Sequence, residues 1–123
     1  MTARRRALGE AGERLAAALL EAKGYRILEC NLRSREGEID LIARSPEGAL
    51  VFVEVRTRQG AAGRHAAAES VGWRKQRRLA ELAAQYLAEG DADEPARIDV
   101  VAVALAPDGA LLGLDHIENA VEG

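Results

Sequence analysis

The sequence predicts an α/β fold in which a mixed sheet has a helix on each side. Three observations carry the prediction. Residues 9–23 are rich in Ala, Leu, Glu and Arg, the strongest helix formers. Three strand-like segments follow at 25–33, 38–44 and 50–58, and then a second helical stretch over 70–89. Residues 98–105 are apolar except for Asp99, as in a strand covered on both faces. The order is therefore α-β-β-β-α-β, and helices on either side are the natural cover for such a sheet. With 123 residues, 48% of them apolar, the chain reads as a single domain, 1–123, around one core.

Each element has local reasons. Residues 1–7, with Arg4, Arg5 and Arg6, read as a flexible basic N-terminus. In the first helix Leu15, Ala18, Leu19 and Ala22 form an apolar stripe, and Gly24 ends it as a C-cap. A second line, Glu13, Ala16, Ala17 and Leu20, sets Glu13 at the helix's buried edge. Ser45-Pro46-Glu47-Gly48-Ala49 carries strong turn chemistry between the second and third strands. Residues 59–69, rich in Gly and Ala without a period, read as a mobile loop. Ser70 caps the second helix, whose core stripe is Leu79, Leu82, Ala83, Tyr86 and Leu87. Trp73 reads as the anchor of that helix in the core, with contact to a nucleic acid or partner as the lesser alternative. Pro107-Asp108-Gly109 turns into a short strand around 110–114, and a short helix near 116–121 ends the chain.

Composition excludes several function classes. With one Trp, one Phe and two Tyr, nucleic-acid binding by aromatic stacking, as on single-strand platforms, is disfavoured. The single Cys30 forms no internal disulfide, and with His65 and His116 far apart structural zinc is not expected. The alanine-rich, charge-studded first helix argues against a signal peptide or membrane span, so a cytoplasmic protein is expected. Net charge is −3, but it is unevenly placed: residues 1–78 hold sixteen of the seventeen Lys and Arg against ten acids, and residues 79–123 hold one against ten. A basic face beside an acidic remainder steers a polyanion whatever the total charge.

The second and third strands hold the most informative pattern. Alternation puts Val51, Val53 and Val55 on one face of the third strand and Phe52, Glu54 and Arg56 on the other. In the second strand Ile39, Leu41 and Ala43 oppose Glu38, Asp40 and Ile42. If Ser45 pairs with Ala49 around a loop in which Gly48 is left-handed, then 44 pairs with 50, 42 with 52, and Asp40 faces Glu54. Two carboxylates so placed suit a hard cation such as Mg²⁺, and Arg56 beside them suits a phosphate. The plainer alternative is a solvated strand face on which Arg56 neutralises Glu54 or Glu38.

The motifs Gly12-Glu13-Arg14, Gly24-Tyr25, Gly37-Glu38-Ile39-Asp40-Leu41-Ile42-Ala43 and Phe52-Val53-Glu54-Val55-Arg56-Thr57-Arg58 resemble the YraN family of small bacterial proteins. The resemblance continues through Arg74-Lys75-Gln76-Arg77-Arg78-Leu79 and Arg97-Ile98-Asp99-Val100-Val101, nearly the whole chain. That family is similar in pattern to archaeal Holliday-junction resolvases and to the restriction-endonuclease-like superfamily. The resemblance implies a restriction-endonuclease-like domain with an αβββαβ core. It also implies that Glu13 is the helix acid, that Asp40 and Glu54 bind the metal, and that Val55 lends its backbone carbonyl. The lysine of the superfamily motif falls on Arg56, and Ile39 stands where the motif often has proline. Arginine is effectively always protonated, so it can orient a phosphate but cannot activate water. Lys75, on the face of Leu79, Leu82 and Tyr86, is the candidate for a lysine drawn from another element. It reads first as one more phosphate-contacting or solvated cation of a basic helix start.

The resemblance thus implies a Mg²⁺- or Mn²⁺-dependent endonuclease acting on branched or damaged DNA in repair. A two-fold dimer would suit a substrate with two scissile strands. The alternative is a module that binds DNA or a repair partner with this fold but little turnover; a plain interaction protein is the third reading.

Overall fold

Five strands form one mixed sheet in the order β1-β2-β3-β4-β5, with β3 and β4 parallel and the other neighbours antiparallel. The computed structural model describes residues 3–60 and 71–121. The elements are α1 (Ala3–Ala22), β1 (Arg26–Ser34), β2 (Gly37–Arg44), β3 (Leu50–Gln59), α2 (Trp73–Glu89), β4 (Ala96–Leu105) and β5 (Leu111–Val121). The αβββαβ order is that of a restriction-endonuclease-like domain, extended by β5. The 61–69 part of the expected loop, the proposed cap Ser70 and His65 lie outside the described residues. Within them α2 begins at Trp73 with Gly72 as its N-cap.

The sheet has a core on each side. On the α1 side Ala16 and Leu20 pack with Tyr25, Leu41, Val53 and Val101. On the α2 side Leu79, Leu82 and Ala83 pack with Ile39, Ile42, Phe52 and Val100. Strands β3 and β4 are buried on both faces, which explains the near-continuous apolar run of 98–105. Gly24 closes α1 as expected: it has φ 91°, and Tyr25 N donates to Leu20 O at 2.9 Å.

Several expectations are corrected. Helix α1 begins at Ala3, so most of the basic N-terminal segment is helical. Its buried line is Ala16 and Leu20, while Ala18 and Ala22 are exposed. The helix leans on the sheet along the line that starts at Gly12, where a Cβ would stand 1.9 Å from Thr57 Oγ1. Trp73 is 68% exposed rather than a core anchor. The inward face of α2 belongs to Lys75, Leu79 and Leu82, and two residues of helix turn Trp73 about 160° away from it.

The chain ends in a long strand, β5, instead of a short strand and a helix. Pairing with β4 along 111–121 removes an exposed edge, and this tertiary gain overrides the local helical signal of Glu118, Asn119 and Ala120.

The β2–β3 hairpin has the predicted register over Arg44↔Leu50, Ala43↔Val51, Ile42↔Phe52 and Leu41↔Val53. Gly48 has φ 94°, Ser45 N donates to Ala49 O, and Ala49 N donates to Ser45 Oγ. One face assignment fails. Ile39 packs on the α2 side, whereas Leu41 and Ala43 pack on the α1 side. The reason lies in β1, where Asn31 takes φ 54° between the pairs Cys30↔Leu41 and Leu32↔Ile39. The facing strand reverses its side chains at that row, and Asp40 is the residue at the reversal.

Candidate metal centre

Strands β2 and β3 part company at Asp40. Their pairing stops at Leu41↔Val53, and where the next rung would be, Asp40 Oδ2 accepts the Val55 N–H at 2.8 Å. A carboxylate has replaced a strand in the ladder. The N–H and C=O of one residue point to the same edge of a strand, so the Val55 carbonyl is directed into the cleft that β2 leaves.

Glu54 enters this cleft from the α2 side of β3. It is 3% exposed, and its carboxyl lies close enough to that of Asp40 to perturb it. Asp40 is pushed up to about 8, first by burial and then by the neighbouring Glu54. The Val55 N–H and Lys75 pull it down without prevailing. Like charges crowded together in a site shielded from water repel, and a cation between them would offset that repulsion.

Lys75 reaches the pair from the first turn of α2, with Nζ 3.2 Å from Glu54 Oε2. Its direction is therefore inward, along the face shared with Leu79 and Leu82, while Arg74, Arg77 and Arg78 are exposed. The contact is an ion pair without hydrogen-bond geometry, because Glu54 Oε2 remains a buried oxygen with no hydrogen-bond partner. Arg56 lies two residues beyond Glu54 on β3 and is half-buried. Gln76, which shares the early turns of α2, is turned away and donates to Val71 O at 2.8 Å.

Glu13 approaches from α1. One carboxylate oxygen each of Glu13, Glu38 and Asp40 lie within 4.8 Å of one another. Burial and the neighbouring Asp40 raise the pKa of Glu13. With its amide nitrogen turned to the carboxylates, Asn31 donates to Glu38 Oε1 at 2.7 Å and to Glu13 Oε1 at 3.1 Å. Asn31 was not expected from the sequence. Its signal is an Asn inside a strand, a residue that tolerates the left-handed conformation it adopts here. A groove of about 620 Å³ opens beside this cluster, with Arg5, Arg6 and Arg33 among its walls.

A second acidic cluster, Asp99, His116 and Glu118, lies where β4 meets β5. It differs in being satisfied. Asp99 is fully buried, and it accepts from Arg97 Nε at 3.0 Å and Asn119 N at 2.9 Å, and pairs with His116 Nε2 at 2.7 Å. Those partners hold the Asp99 carboxyl below its ordinary range despite its burial. Arg97 also donates to Tyr25 Oη at 2.6 Å, which ties β4 to the end of α1. This is a compensated structural network, whereas Asp40–Glu54 keeps an unmet oxygen and a raised acid. Those are the marks of residues that fit a hard divalent cation, with Asp40, Glu54 and the Val55 carbonyl as its oxygen donors. Among the described residues no helix is long and apolar enough to cross a membrane.

Comparison with known proteins agrees with the motifs. Residues 12–103 match the model of the uncharacterised protein family UPF0102. A UPF0102 protein of Symbiobacterium thermophilum is 55% identical over 86% of this chain and 89% of its own length. One from Roseiflexus castenholzii is 45% identical over 99% and 98%. Among solved structures, that of Pyrococcus furiosus SfsA in complex with Ca²⁺ matches with a TM-score of 0.35 and 18% identity, over 97% of this chain and 65% of that one. The chain belongs to the uncharacterised protein family UPF0102, the YraN family.

Proposed function

We propose that the protein is a metal-dependent endonuclease acting on branched or damaged DNA. The observation that carries the reading is the half-buried Asp40 beside the buried Glu54 at a break in the sheet, with Lys75 reaching them from another element. A Mg²⁺ or Mn²⁺ bound there would supply a water of lowered pKa and offset charge building on the phosphodiester.

The chain's own residues supply the rest. Asp40 and Glu54 gather negative charge in a site with little water, and the Val55 N–H fixes the Asp40 carboxylate in one orientation. Glu54 holds the Lys75 ammonium at the site, where its donors can turn to a phosphate oxygen. Arg56 adds a guanidinium that matches phosphate geometry, and Glu13, steadied by Asn31, stands where it can hold a water. Arg5, Arg6 and Arg33 along the groove suit a DNA backbone. Two copies would serve a substrate with two strands to cut.

A second reading, a DNA- or repair-partner-binding module without efficient turnover, rests on Arg56 standing where the resembled motif has lysine. Purified protein mixed with branched, flap and linear DNA, with and without Mn²⁺, separates the two. Mn²⁺-dependent cleavage that disappears in Asp40→Ala supports the nuclease; salt-sensitive binding with no cleavage supports the module. Cleavage that survives Asp40→Ala contradicts the nuclease reading.

A further inference from the structure

Trp73 is the single tryptophan of the chain and is 68% exposed. It sits on the first turn of α2, two residues from Lys75, whose ammonium contacts Glu54. Arg77, one turn on, lies with its guanidinium 5.4 Å from the indole centroid. Arg74 and Arg78 are exposed on the same stretch, and the first turn of α2 carries no acid. Helical rotation places Arg74 and Arg78 on the flank between the inward face of Lys75 and the outward face of Trp73. A cationic ridge therefore runs from the candidate metal centre around the helix to an exposed indole. Its near end is fixed to the sheet. A Cβ on Gly37 would stand 2.8 Å from Arg78 Cδ, so the Arg78 side chain lies over the start of β2, three residues before Asp40. A helix with its side chains is about 10–12 Å across, so the indole stands roughly three nucleotides' rise from the Lys75 ammonium.

We infer that Trp73 stacks on one unpaired base a few nucleotides from the scissile phosphate, so that the preferred substrate is DNA with a break in pairing: a flap, a gap or a fork. This rests on the nuclease reading and names its substrate class. The ligand must be anionic, because Arg74, Arg77 and Arg78 flank the indole. It must also present a flat apolar face, and an intact duplex hides its base faces within the stack. One indole can hold one base, in keeping with the scarcity of aromatics elsewhere.

Because Trp73 is the only tryptophan, its emission reports the contact directly. In EDTA, a flapped oligonucleotide should quench it and a blunt duplex of the same sequence should not. Trp73→Ala should weaken flap binding about 5- to 150-fold and leave duplex binding within twofold, and Trp73→Phe should restore most of the preference. Equal quenching by both DNAs, or an unchanged flap-to-duplex ratio in Trp73→Ala, would overturn the inference. If wild type still cleaves with Mn²⁺ in that case, the nuclease reading stands alone. Emission that no DNA moves, with no cleavage, overturns both and leaves this face to a protein partner.

Discussion

Lys75 Nζ stands 3.2 Å from Glu54 Oε2, so a cation from α2 occupies the flank of a carboxylate that β3 supplies. The third strand offers Glu54-Val55-Arg56, and Arg56 cannot exchange a proton near neutrality. The helix brings an amine to the same carboxylate from another direction. The two cations then have separable roles, and the roles predict separable phenotypes.

Lys75→Met is expected to lower Mn²⁺-dependent cleavage about 10²- to 10³-fold while leaving Mn²⁺ binding intact, since Lys75 donates no metal ligand. Arg56→Ala should act mainly on DNA affinity, with a smaller fall in turnover. Single-turnover cleavage and calorimetric Mn²⁺ titration check both variants. Equal losses of cleavage and metal binding in Lys75→Met would contradict the separation.

In metal-free buffer the Asp40–Glu54 pair makes the protein less stable as pH rises. Asp40 has a folded pKa near 8 against an ordinary value near 4, so the native state holds a proton that the unfolded state releases. Its contribution is full below about pH 4 and is lost as pH rises towards 8. Asp40→Asn keeps an oxygen for the Val55 N–H and removes the repulsion. It should therefore stabilise the metal-free protein at pH 8 by roughly 1–3 kcal/mol while abolishing Mn²⁺ binding. Urea unfolding at several pH values in EDTA is the measurement, and destabilisation at pH 8 would count against a raised Asp40 carboxyl.

Asp99 has the opposite sign. Its carboxyl is held below the ordinary range by His116, Asn119 N–H and Arg97, so the stability it contributes is present above about pH 4 and is lost as pH falls through its folded value. Asp99→Ala strands Arg97 and His116 and should cost about 3–5 kcal/mol. Mn²⁺ affinity of the fraction that folds should not change. A loss of metal binding without loss of stability would move the metal centre to β4–β5.

How much of this was legible in the sequence depends on the range of the cause. The hairpin register was legible as far as Leu41↔Val53 because Ser45, Gly48 and Ala49 set it within five residues, but the expected rung between Asp40 and Glu54 does not form, since the Asp40 side chain takes the Val55 N–H instead. The inward direction of Lys75 was available in the helix geometry that ties it to Leu79 and Leu82, but the surrounding arginines of the helix start made a solvated cation the first reading. Ile39 was misplaced because its face depends on Asn31, a residue of the neighbouring strand. Asn31 itself was missed because its task, bridging Glu13 and Glu38, exists only once α1, β1 and β2 meet. The second half of the last strand was read as helix because pairing with β4 is a tertiary gain that local propensity does not carry. Trp73 was placed in the core because a large aromatic usually belongs there, and the deciding fact was which helix face Lys75 claims.

Gly12 sets the approach of α1 to the sheet. Gly12→Ala puts a Cβ 1.9 Å from Thr57 Oγ1, so the helix must lift and carry Glu13 away from Asp40. A destabilisation of roughly 1–3 kcal/mol is expected, together with a fall in cleavage. Adding Thr57→Ala should recover part of both by removing the obstructing oxygen. Thermal melts and cleavage rates of the single and double variants test this, and no recovery in the double variant would rule out the contact as the cause.

The most direct test of the central claim is a crystal soaked in Mn²⁺ and measured for anomalous scattering. One strong peak is expected between Asp40, Glu54 and the Val55 carbonyl, with metal–oxygen distances of about 2.1 Å, and none in Asp40→Asn. A peak at Asp99, His116 and Glu118 instead, or no peak at a saturating Mn²⁺ concentration, would contradict it.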